Sequence, residues 1–73
     1  MSKSYYTVCV RNTSKSPFGP EFGDYDKEVA MEEAQDLVEE YGRKNVRTIR
    51  TWDHQSAIDA GVKELNEKEA AKA

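Results

Sequence analysis

Asp26 to Gly42, DKEVAMEEAQDLVEEYG, reads as one helix, and the rest of the chain arranges itself around it. Ala30, Ala34, Leu37 and Tyr41 recur at the spacing of a single helical face, and Val38 widens that stripe. Asp26 suits the amino-terminal cap, because its carboxylate can accept from the first free backbone N–H groups. Gly42 suits the other end, where the chain commonly needs a positive φ. The remaining faces carry Asp26, Glu28, Glu32, Glu33, Asp36, Glu39 and Glu40 against Lys27 alone, a local charge of −6.

Before the helix, Ser4 to Arg11 (SYYTVCVR) is rich in β-branched and aromatic residues and predicts a strand. Tyr6, Val8 and Val10 share the face expected beneath the helix; Tyr5, Thr7, Cys9 and Arg11 share the other. Asn12 to Pro20 is full of turn formers, and Glu21 to Tyr25 returns as a short second strand weakened at Gly23. After the helix, Asn45 to Trp52 (NVRTIRTW) predicts a third strand, with Ile49 placed inward against Leu37 or Val38 and Arg47 at the sheet margin; a bulge near Thr48 would bring Val46 inward as well. Ser56 to Leu65 has the cap and the i, i+4, i+7 spacing of a short second helix, interrupted by Gly61.

A right-handed crossover from the second strand to the third places the first helix on one face of the sheet. The expected fold is therefore α+β: a ββαβ unit with a three-stranded antiparallel sheet in order 2-1-3. Residues 1–66 form one small domain in this reading, and residues 67–73 (EKEAAKA) a disordered, frayed tail with nothing to bury.

At 73 residues the chain has room for one modest core and little room for a deep enclosed active site. One cysteine precludes an internal disulfide and suits a reducing cytoplasm; one cysteine and one histidine make a dedicated zinc site unexpected. No apolar run approaches the ~18 residues of a membrane span. The net charge of −3 argues against duplex DNA as the main partner. No catalytic or cofactor-binding motif is present, so the expectation is a non-enzymatic, monomeric module without metal or cofactor. The acidic residues of the first helix read as a solvated or partner-facing surface, since carboxylates on one exposed helix enclose no cavity.

Directly after that helix, Arg43, Lys44, Arg47 and Arg50 follow one another with no acid between them. With Tyr5, Arg11 and Trp52 they form the expected partner-binding set, because Tyr, Trp and Arg are the types that dominate binding hot spots. The third strand is an edge in the 2-1-3 order, so its backbone can accept an extended segment of a partner. A nucleic-acid contact through Arg43 to Trp52 is the competing reading. A second is inhibition of a host defence or DNA-processing protein by an acidic helix that imitates phosphate.

The runs YYTVCVRN, EFGDYDKEVAMEEAQDLVEEYG and NVRTIRT, spanning roughly residues 5 to 52, resemble small proteins encoded by tailed bacteriophages. FGDYDKE, Phe22 to Glu28, is the most distinctive stretch. By size and layout the chain is also similar to small phage regulators that bind host RNA polymerase and block promoter-dependent transcription, those of Xanthomonas phages among them. That resemblance implies a host protein, bacterial RNA polymerase first, as the partner, and the host bacterial cytoplasm as the place of action. It carries no residue-by-residue assignment of an interface.

Overall fold

A computed structural model describes residues 3–72 of the chain. The order of elements is β1 (Ser4–Val10), β2 (Gly19–Asp24), α1 (Lys27–Tyr41), a 3-10 turn (Arg43–Asn45), β3 (Val46–Trp52) and α2 (Gln55–Lys72). The three strands form one antiparallel sheet in the order β2-β1-β3, as the sequence predicts.

The ends of α1 are fixed by the expected residues. Asp26 caps it, accepting from the Glu28 N–H at 2.8 Å, and Gly42, at φ +93°, donates its N–H back to the Val38 carbonyl at 2.8 Å. Ala30, Ala34 and Leu37 are buried against Val8 and Val46, and Tyr6, Val10, Phe22, Val38 and Tyr41 close the margin of this core.

The parity of β3 differs from expectation. Val46, not Ile49, faces α1: it pairs with Val10 in register and is buried in the α1 core. Ile49 lies on the opposite face, close to Gly61 of α2. Because side chains alternate strictly along a strand, one assignment moves all the others. Thr48, Arg50 and Trp52 share the α1 face with Val46, while Arg47, Ile49 and Thr51 join Tyr5, Thr7 and Cys9 beneath α2.

The second helix is longer than expected. It begins after His54, whose Nδ1 accepts from the Ala57 N–H at 3.3 Å, so His54 rather than Ser56 acts as the cap. It continues through Asn66 to Lys72, which corrects the expected frayed tail for residues 67–72; Ala73 lies outside the described residues. Gly61 is the reason α2 can sit close to the sheet. A Cβ there would stand 2.6 Å from Thr51 Cγ2 and 3.0 Å from Ile49 Cδ1. Its cost to helix propensity is therefore offset by packing.

Two half-buried polar fixtures hold the far end of α2. The Asn66 amide brackets Phe18: its Oδ1 accepts from the Phe18 N–H at 2.7 Å and its Nδ2 donates to the Phe18 carbonyl at 3.0 Å. Phe18 itself is buried with the Arg11 and Arg47 guanidinium groups over its ring, so the proline-flanked loop is fastened beneath the end of α2. Beside it, Glu69 faces Arg11 at 3.9 Å, Arg47 at 3.5 Å and Lys72 at 3.2 Å.

Candidate functional site

The two outer strands of the sheet are built differently. Along β2 the pairing with β1 slips between Val8 and Cys9, and Pro20 stands opposite Cys9. A bulge and a proline are the usual means of making an edge unfit for pairing. In contrast, β3 runs seven residues in unbroken register with β1 and contains neither.

The polarity of that open edge follows from one hydrogen bond. The Arg11 N–H donates to the Asn45 carbonyl at 3.0 Å, so odd-numbered residues of β3 exchange bonds with β1. The backbone groups of Val46, Thr48, Arg50 and Trp52 then point away from the sheet. Two side chains reach round to outward carbonyls: Arg47 Nη1 donates to Val46 O at 2.9 Å, and Thr51 Oγ1 donates to Trp52 O at 2.8 Å. The stretch between them, centred on Thr48 and Arg50, is left open.

Arg50 and Trp52 flank this stretch on the α1 face. The Arg50 guanidinium lies 5.7 Å from the Trp52 ring centroid, and Nε and Nη2 both donate to Ser4 Oγ, at 3.0 and 2.7 Å. Trp52 is 51% exposed, so a large apolar ring lies at the surface beneath a cation that the Ser4 hydroxyl anchors. On the α2 face, a groove of about 580 Å³ runs beside the edge. Ile49 and Thr51 form one wall, and Ala57, Ala60, Gly61 and Glu64 contribute to the other.

The seven residues expected to bind a partner fall in four places. Arg50 and Trp52 stand together at the open edge. Arg43 and Lys44 are exposed at the other end of β3, in the 3-10 turn. Arg11 and Arg47 are turned beneath the end of α2. Arg11 Nε donates to Asn45 Oδ1 at 3.0 Å and Nη2 to the Lys44 carbonyl at 2.8 Å, with its guanidinium 4.5 Å from the centre of the Phe18 ring. Tyr5 stacks edge-to-face on Tyr25 at 5.0 Å, under α2. The open face expected to carry Tyr5, Arg11, Arg50 and Trp52 together is thus divided, because Arg50 and Trp52 lie on the α1 face while Tyr5 and Arg11 lie beneath α2.

The titratable groups follow their surroundings. Burial pushes the Cys9 thiol up to about 11, so it rests protonated on the face of the sheet beneath α2. The Tyr25 hydroxyl is raised chiefly by its hydrogen bond to Asp53, at 3.1 Å. The Glu69 carboxyl is lowered, first by its bond to Lys72 and then by the fields of Arg47 and Arg11, against an opposing desolvation.

Ser4, Asn66, Glu69 and the small residues of α2 are the contributors that sequence reasoning missed. A signal was present: Ile58, Val62, Leu65 and Glu69 continue one helical stripe past the point where apolar residues stop. Among the described residues, no group of three or more His, Cys, Asp or Glu side chains is placed to hold a metal ion, and no helix is long and apolar enough to cross a membrane. Comparison with protein families, with curated proteins and with solved structures yields no match to this chain.

Proposed function

We propose that this chain is a non-enzymatic binding module that captures an extended segment of a partner protein along β3. The observation that carries the reading is the contrast between the two edges: β2 is bulged and proline-bearing, while β3 is regular and open beside an exposed Trp52–Arg50 pair. Backbone pairing would supply affinity without regard to sequence, and the Trp ring, the guanidinium and the adjoining groove would supply selectivity. Surface capture also suits a thiol kept protonated by burial and carboxylates spread along an exposed helix.

The sequence resemblance makes bacterial RNA polymerase the first partner to test, with the chain acting inside an infected bacterial cell to block or modulate transcription. Purified polymerase is titrated with the wild-type protein and with Arg50→Glu, Trp52→Ala and Thr48→Pro. Each variant is expected to weaken binding at least about ten-fold, or roughly 1.4 kcal/mol, while circular dichroism shows the fold intact. Absence of binding by the wild-type protein removes polymerase as the partner. Should Glu32→Lys with Glu33→Lys abolish binding while the β3 variants retain it, the acidic face of α1 is the interface and charge mimicry replaces strand capture.

A further inference from the structure

The open edge is complementary to itself. Laid antiparallel against a second β3 so that the seven-residue strands overlap fully, Ile49 falls on the two-fold axis and faces its own copy. Thr48 then stands opposite Arg50, Val46 opposite Trp52, and Arg47 opposite Thr51. No like charges meet directly, an arrangement that would otherwise be destabilising. Sliding the strands by two residues in one direction sets Arg50 against Arg50; sliding them in the other leaves Trp52 beyond the end of the partner strand.

The same register agrees with the backbone. Thr48 and Arg50 have outward-pointing N–H and C=O groups, so the two pairs related by the axis each exchange a pair of backbone hydrogen bonds. The groove beside the edge has room for the incoming Ile49 and Thr51 side chains. Across the axis the second α2 would approach over Ala57 and Ala60, which are small enough for close helix packing. Glu64 and Lys68, paired at 2.9 Å within each helix, are presented in opposite order by two antiparallel copies.

The geometry points to a second copy of this chain as the occupant of the β3 edge in the free protein, giving a two-fold dimer with a continuous six-stranded sheet. The inference rests on the openness of β3 that also supports partner capture, and it implies that a partner segment displaces the second copy.

Sedimentation velocity of the full chain over a wide concentration range is expected to show monomer passing to dimer. Thr48→Pro removes an outward N–H without touching the β1 ladder, and is expected to remain folded and stay at monomer mass. Thr48→Glu sets a carboxylate opposite Arg50 in both dyad-related pairs and should tighten the dimer about ten-fold, whereas Thr48→Lys should loosen it by a similar factor. A wild-type protein that stays monomeric throughout overturns the inference. So does a Thr48→Pro dimer, and so do Glu and Lys variants that shift association in the same direction. Titration of RNA polymerase with the same variants separates the two readings. A monomer that binds polymerase through β3 overturns the dimer alone, and a dimer of this register that ignores polymerase overturns polymerase capture alone.

Discussion

Arg11 turns its guanidinium into the molecule, where it meets the Asn45 amide, the Lys44 and Ser14 carbonyls, the Phe18 ring and, at 3.9 Å, Glu69. Charge-assisted bonds of this kind exceed neutral ones in strength, and their acceptors are left unsatisfied when the donor is removed. Arg11→Ala is therefore expected to destabilise the fold by about 2–3 kcal/mol, read as a lower urea midpoint. Arg50→Ala should change stability by less than about 1 kcal/mol, since its partners are at the surface. Equal losses from the two variants would refute the division of the arginines between fold and surface. Cys9 offers a second measurement at this scale. With its thiol buried and held up to about 11, it should resist alkylation at neutral pH in the native protein and react promptly in denaturant. Fast native labelling would show that the face beneath α2 opens readily.

At the scale of the element, α2 is held by close approach and by its polar end rather than by a broad apolar stripe, since none of its residues is fully buried. Gly61→Ala would gain helix propensity of about 1 kcal/mol but force Thr51 and Ile49 apart, so a net loss of about 1–2 kcal/mol is expected. A stabilised variant would show that the helix can ride higher on the sheet. Glu69 makes the docking of α2 sensitive to acid. Its carboxyl is lowered in the folded state from an ordinary value of 4.5, so its contribution is complete above that value and is lost as pH falls through the lowered one. Glu69→Gln should accordingly flatten the decline of stability on the acid side of 4.5; an unchanged profile assigns the decline to other groups. These features explain what was legible beforehand. The α1 stripe, its Asp26 and Gly42 ends and the strand order are written in local periodicity and turn chemistry. The end of α2 is not, because Asn66 and Glu69 dock through hydrogen bonds and ion pairs to Phe18, Arg11 and Arg47, partners distant in sequence. The parity of β3 was obscured because Val46 and Ile49, its only aliphatic residues, fall on opposite faces and each face of the strand is in fact covered at one end.

For the whole molecule, the net charge of −3 sits with an acidic α1, while Arg11 and Arg47 are already engaged by Glu69. Random duplex DNA should therefore bind only weakly at physiological salt, measured by fluorescence anisotropy. Submicromolar binding that strengthens as salt falls would favour a nucleic-acid role for Arg43, Lys44 and Arg50. The candidate site was legible in the sequence as residue types, Trp52 and Arg50 among them, and as an outer position for β3. Which face carries Arg50 and Trp52 was not, since a one-residue choice of parity separates them from Tyr5 and Arg11 and puts Arg47 with those two instead. The bulge and proline of β2 have a consequence for assembly. A sheet with two open edges has a valence of two and can add copies without limit, as ribbons and fibrils do. Blocking one edge reduces the valence to one, so pairing through β3 would consume the remaining regular edge of this sheet, and growth would terminate at the pair. The irregularity opposite Cys9 would thus work as a chain terminator, letting β3 pair without polymerisation through the sheet.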